Sequence, residues 1–119
     1  MTTEDKELLL KDLCARLPYR TKIHIIGEGG EEIDADLTTS TIDYFESWAV
    51  QPYLRPMSSM TEEEQQKYYD LTHQEEDDIW GKCLFDKMVD FCNENHLDYR
   101  GLIPMGLALE APEGMYKND

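Results

Sequence analysis

The chain has few basic residues. Among its 119 residues there are 11 Lys and Arg against 26 Asp and Glu, which gives a formal net charge of −15 at pH 7. A surface with this charge repels nucleic acid phosphates and anionic lipid headgroups, so we expect no direct binding to either. The same charge suits a protein partner that carries basic residues, and it favours solubility.

The sequence also lacks a long hydrophobic run and a cysteine framework. No apolar stretch approaches the roughly 20 residues that cross a bilayer, and the acidic start at residues 1–5 differs from a signal peptide. Cys14, Cys83 and Cys92 follow no disulfide spacing, so we expect reduced thiols and a cytoplasmic location. With 40% hydrophobic residues, the chain can form a core, and we expect a single domain over residues 1–119.

The first third of the sequence predicts a helix followed by a β-hairpin. A helix capped by Thr2 or Thr3 should end near Arg16, before Pro18, with Asp12 on its polar face. Its expected apolar stripe comprises Leu9, Leu10, Leu13, Cys14 and Leu17. Alternating apolar residues on either side of a glycine-rich turn predict a hairpin at about 21–38.

The remainder predicts further helices and an irregular tail. Thr61 and Glu64 form a capping box, which predicts a helix to about Leu71, and another helix should cover residues 82–95. The segment 41–50, with Ser40 or Thr41 as a cap, fits either a short helix or a strand. We therefore expect an α+β fold: a small antiparallel sheet packed by two to three helices, with an ordered irregular C-terminal segment.

Within that C-terminal segment, residues 101–109 carry no charge at all. Such a stretch either packs on the core or forms an exposed surface for a protein partner. Packing is the preferred interpretation, because monomers expose few extended apolar patches.

Several patterns that could carry chemistry have simpler explanations. The glycine-rich segment 27–30 is flanked by glutamates that would repel a phosphate, which favours a turn. Cys92 and His96 share a helical spacing, but no second ligand pair accompanies them, and Cys92 falls on an apolar stripe. The sequence therefore predicts no catalytic residue, no metal ligand and no cofactor.

Two groups of charged residues remain as candidates for binding a partner. Arg55 lies between two prolines and Arg100 lies in a turn-rich segment, where a guanidinium could bind a carboxylate or phosphate. The alternative is that each arginine fastens a loop internally. The second group is acidic, lies beyond the capping box and has no evident role in folding; it consists of Asp70, Glu75, Glu76, Asp77 and Asp78.

Four segments resemble a known group of proteins: residues 8–19, 52–64, 97–103 and 106–112. The group comprises small acidic proteins of anaerobic gut bacteria and their phages. The resemblance covers most of the chain, whereas residues 27–50 and 73–82 depart from it. It implies a bacterial, phage-associated context and no site residues, because the group has no established activity.

Together these observations predict a non-enzymatic protein-interaction or modulator module. A first alternative is a nucleic-acid mimic, whose carboxylates imitate phosphates and occupy a basic DNA-binding protein. A second alternative is an enzyme or metal-binding module built on carboxylates, which would need several of them to converge in a pocket with raised pKa values.

Overall fold

The computed structural model describes residues 2–46, 48–73 and 81–116, which form helices packed on one sheet. The predicted α+β class is confirmed. The helices are α1 (Thr3–Arg16), α2 (Thr39–Ile42), α3 (Glu62–Thr72) and α4 (Gly81–Glu94), and the strands are β1 (Lys22–Ile26), β2 (Glu32–Asp36), β3 (Ala49–Leu54) and β4 (Leu109–Glu110). In the described part of the chain, no helix is both long and apolar enough to cross a membrane.

The strands lie in the order β2-β1-β3-β4, and the hairpin β1–β2 is antiparallel as predicted. The strand β3 is also antiparallel to β1, but β4 runs parallel to β3. The sheet is therefore mixed rather than purely antiparallel. The reason is topological: between β3 and β4 the chain passes through α3 and α4, and such a crossover can return it in the same direction.

The buried face of α1 differs from the predicted apolar stripe. Thr2 caps the helix and Leu9 and Leu13 are buried, but the other two residues of the buried face are Asp12 and Arg16. Leu10 is 38% exposed and Cys14 is also exposed. The stripe is rotated because the acid and the base, four residues apart, bury each other as an ion pair.

The main core lies between α1 and the inner face of the sheet. Leu102, Leu107 and Ala108 of the uncharged segment are buried in it, which agrees with packing, while Met105 at its tip is 49% exposed. The other core members are Leu9, Leu13, Ile23, Ile25, Leu37, Val50 and Leu54. A second cluster, Phe91, Cys92 and Leu97, joins α4 to α3.

The ambiguous stretch divides into a helix and a strand. Thr38, rather than Ser40 or Thr41, caps α2, and the Thr41 hydroxyl accepts from the Thr38 N–H in return. A 3₁₀ turn follows α2, and β3 then begins at Ala49. Both interpretations of 41–50 are thus partly right, because the segment contains the end of one element and the start of the other.

Candidate functional site

The Arg55 guanidinium is hydrogen-bonded to other described groups of the protein. Its guanidinium donates to Glu64 Oε1 at 2.6 Å and Oε2 at 2.9 Å, to the Ser59 carbonyl at 3.0 Å and to the Asn95 carbonyl at 3.3 Å. The bond to Glu64 raises the pKa of Arg55, and the same bond lowers the pKa of Glu64. Arg55 therefore joins the end of β3 to the start of α3 and to the loop after α4.

Arg100 belongs to a buried network around Asp12. The Asp12 carboxylate accepts from Arg16 Nε at 2.8 Å, from Arg16 Nη2 at 3.2 Å and from Arg100 Nε at 3.0 Å. Arg16 also donates to the Leu97 carbonyl at 2.7 Å. Both arginines flank the Tyr99 ring. Arg55 and Arg100 thus fasten loops, and a role of either in partner binding stays a prediction.

The predicted acidic group is not brought together with these arginines. Asp70 is exposed on α3, where Gln66 Nε2 donates to its carboxylate at 2.9 Å. The acidic run Glu75, Glu76, Asp77 and Asp78 lies outside the described residues. Binding through these acids stays a prediction.

An open groove of about 970 Å³ lies beside β3 and β4. Its walls come from residues 55–64, 94–96 and 110–116, together with Tyr19. These segments are distant in sequence. They meet because β4 pairs with β3 and because Leu97, in the chain after α4, forms a β-bridge with Arg55.

The groove lining is strongly acidic. Five glutamates line it, and Arg55, the one arginine among the described lining residues, is already paired with Glu64. None of the other four has an ion-pair partner among the residues that the structure describes; they are Glu63, Glu94, Glu110 and Glu113. The formal charge of the described lining is therefore −4.

His96 lies in this groove in an unusual backbone conformation. It follows α4 with φ of 59°, and the helix end is closed by Leu97 N–H to Cys92 O and His96 N–H to Asn93 O. This is a Schellman motif, in which glycine normally occupies the left-handed position. The conformation places the imidazole against the Tyr116 ring, with centroids 3.8 Å apart.

The surroundings of His96 keep its ring neutral at pH 7. Burial, with the charges of Arg16 and Arg55 nearby, lowers its pKa to about 4. Its Nδ1 lies 3.1 Å from the Thr21 hydroxyl oxygen. His96 therefore adds no positive charge to oppose the glutamates of the groove.

Tyr116 joins the groove to the sheet. Its hydroxyl accepts from the Lys22 N–H at 2.8 Å and donates to the Tyr53 carbonyl at 2.7 Å. Continuing the β1–β3 register would place Lys22 opposite Tyr53, so the hydroxyl replaces the ladder bond that this pair would make. Burial raises the pKa of Tyr116 to about 12, so the phenol remains protonated and can donate.

A second polar cluster lies on the outer face of the sheet. His24 Nδ1 is 2.7 Å from Asp34 Oδ1 and His24 Nε2 is 2.8 Å from Glu32 Oε1, while the Tyr53 hydroxyl donates to Asp34 at 2.8 Å. These bonds raise the pKa of His24 and lower that of Asp34. The cluster ties β2 to β1 and β3 by paired charges.

Two carboxyl groups and one thiol among the described residues have shifted pKa values. Asp34 and Glu64 both have lowered pKa values, the opposite of the raised values that an acid catalyst needs. Burial raises the pKa of the Cys92 thiol to about 11, so it is protonated and packs as an apolar group. Within residues 2–46, 48–73 and 81–116 no set of His, Cys, Asp and Glu is arranged to hold a metal ion.

The sequence did not indicate the groove, although two of its parts were visible. Arg55 was singled out, and Glu64 was recognised as a capping residue, but their pairing joins residues on different elements.

Comparison of the chain with protein-family models, with curated protein sequences and with solved structures returned no match.

Proposed function

We propose that the protein is a non-enzymatic, cytoplasmic interaction module that binds a basic segment of a protein partner in the acidic groove. The observation that carries the proposal is the set of four glutamates that line one concavity without an ion-pair partner among the described residues. Like charges that share a groove repel one another, and a cationic ligand relieves that repulsion.

The size of the groove suits a short peptide segment. Its volume of about 970 Å³ is at the upper end of the range for small-molecule sites, and it is open rather than enclosed. Tyr19 and Tyr116 line it beside the glutamates. Lysine and arginine side chains could lay their apolar stems on these rings while their charged ends reach the carboxylates.

The arrangement favours this function over the two alternatives. A nucleic-acid mimic needs carboxylates along a protruding strip spaced like phosphates, whereas these four surround a concavity. A carboxylic acid that acts as general acid must stay protonated near neutral pH, and the described carboxyl groups with perturbed pKa values, Asp34 and Glu64, are shifted the other way. The bacterial, phage-associated context stays part of the proposal, and the genes that flank the coding sequence would test it.

The test uses a fluorescent eight-residue peptide rich in lysine, arginine and proline, and a glutamate-rich counterpart. Fluorescence anisotropy should show saturable binding of the basic peptide only, weakening as salt is raised. The double variant Glu110→Gln/Glu113→Gln should bind about two- to thirtyfold more weakly, since each of the two exposed charge pairs contributes about 0.2–1 kcal/mol.

The matched control is Glu4→Gln/Glu7→Gln, which removes the same charge from exposed positions of α1. Its affinity should stay close to that of the unmodified protein. Equal weakening by both pairs would mean that the total charge, not the groove, attracts the peptide, and the proposal would fail. If duplex DNA displaces the protein from a bound partner, nucleic-acid mimicry replaces the groove proposal.

A further inference from the structure

The outer edge of β2 is an open sheet edge. In the strand order β2-β1-β3-β4 it is the terminal strand, and no described strand pairs with its far side. At one end of this edge the Thr41 hydroxyl donates to the Asp36 carbonyl at 3.1 Å. Two hydrogen bonds fix which of its backbone groups are engaged: Gly27 N–H to Glu31 O and Leu37 N–H to Thr21 O, both at 2.8 Å. Antiparallel bonding alternates, so residues 31, 33, 35 and 37 bond to β1. The N–H and C=O groups of Glu32, Asp34 and Asp36 therefore point away from the sheet.

This edge lacks most of the features that prevent strand addition. Its register with β1 is continuous from Asp36 to Glu32, with no bulge and no proline. On the inner face, Ile33 is 51% exposed, although its neighbours on that face, Ala35 and Leu37, are half-buried and buried. A further strand would cover Ile33 and satisfy three N–H groups and two C=O groups, since the Asp36 carbonyl already accepts from Thr41.

The outer face of the edge determines which strand can be added. Glu32 and Asp34 are bonded to His24 and Asp36 is bonded to Lys22, all from the β1 side. The Cβ atoms of an added strand would lie about 5 Å from the Cβ atoms of these acidic residues, on the side away from β1. A second copy of β2 would bring acids against acids, and this like-charge contact disfavours self-association.

We propose that the β2 edge binds an extended segment of a partner protein in which basic and apolar residues alternate. Basic side chains lie opposite Glu32, Asp34 and Asp36, and apolar ones cover Ile33 and Ala35. The added segment becomes the fifth strand of the sheet. This site is distinct from the groove, because β1 separates β2 from β3.

The test uses a capped seven-residue peptide in which lysine and valine alternate, and two versions with three N-methyl groups each. One carries them on lysines, the other on valines, so charge and composition are equal. In antiparallel addition the lysine N–H groups face β2, and methylating them should weaken binding at least about tenfold while valine methylation has little effect. In parallel addition the valine N–H groups face β2, so methylating the valines weakens binding and methylating the lysines has little effect. Equal effects of the two versions would overturn the proposal.

A pair of protein variants supplies an independent check. Asp36→Ala and Asp36→Pro both lose the carboxylate, but only proline loses the outward N–H, which no described residue uses. Circular dichroism checks that both fold, and the proline variant should bind the alternating peptide about threefold or more weakly than the alanine variant. Equal affinities would contradict strand addition, as would sedimentation showing that the protein alone associates through this edge.

The groove proposal and the edge proposal can be refuted independently of each other. The proline-rich peptide used for the groove has fewer N–H groups to donate to β2 and should add poorly as a strand. Glu110→Gln/Glu113→Gln should leave the affinity of the alternating peptide within about twofold. Loss of both affinities in that variant would assign the alternating peptide to the groove and would overturn the edge proposal.

Discussion

Replacing Asp12 by asparagine should be among the most destabilising isosteric changes available to this protein. The side chains of Asp12 and Arg16 are both 0% exposed, so neither charge can be solvated in the folded state. The carboxylate accepts three hydrogen bonds, two from Arg16 and one from Arg100, at 2.8–3.2 Å. An asparagine at this position would leave the Arg16 guanidinium buried with the Leu97 carbonyl and no counter-charge of its own.

The expected cost follows from that uncompensated charge. Removing one partner of a buried ion pair costs about 3–5 kcal/mol. A chain of 119 residues typically has a free energy of unfolding of about 6–18 kcal/mol, so the loss is a large fraction of the total. With a urea m-value of about 2 kcal/mol/M, the midpoint should fall by about 2 M.

The assay is urea unfolding at pH 7, followed by circular dichroism and tryptophan fluorescence. Glu7→Gln on the exposed side of the same helix is the control, and it should change the free energy of unfolding by less than about 0.5 kcal/mol. Replacing both buried charges, in Asp12→Leu/Arg16→Met, should recover much of the lost stability, because no fully buried charge is then left unpaired; Arg100, which also loses Asp12, has a side chain that is 19% exposed. A loss below about 1 kcal/mol for Asp12→Asn would refute the reasoning.

Three further outcomes are expected. Tyr116→Phe should lower the free energy of unfolding by about 1–3 kcal/mol, since it leaves the Lys22 N–H without its partner, and hydrogen exchange at that amide should accelerate. Thr61→Ala removes the cap of α3 and should cost about 1 kcal/mol with reduced helical circular dichroism, whereas Thr61→Ser should not. In an NMR titration the His96 ring should titrate near pH 4; the unfolded chain binds that proton near pH 6.5, so stability falls as pH drops between these values, and His96→Gln should flatten the fall.

Features specified by nearby residues were predictable from the sequence. The capping box of Thr61 and Glu64 located the start of α3, and the β-branched alternation around the glycine turn located the hairpin. Each signal lies within a few residues of the element that it specifies. The end of α4 was also located closely, although no glycine marks it and His96 takes the position instead.

Features that depend on distant residues could not be predicted. β4 has only two residues and gains its identity by pairing with β3, so its own sequence carries no strand pattern. Asp12 was assigned to the polar face of α1 because its counter-charges, Arg16 and Arg100, become its partners only after folding. The Asp12–Arg16 spacing is the one local signal that could have indicated a pair.

The acidic groove could be predicted from the sequence only in part. The acidity of the chain was evident, yet nothing in the sequence singled out the glutamates that line one concavity. Glu63 lies at the predicted start of α3, whereas Glu110 and Glu113 join it through the pairing of β4 with β3 and Glu94 through the bridge between Arg55 and Leu97.

The hydroxyl of Tyr116 between Lys22 and Tyr53 also sets an order of events during synthesis. It lies 94 residues after Lys22 and 63 after Tyr53, so a ribosome has translated both strands long before the residue that seals them. Until then the Lys22 end of the β1–β3 pair stays open, and the wall formed by residues 110–116 does not exist. A nascent chain can therefore acquire its helices and hairpin early, but the groove takes its full shape only when this late segment docks.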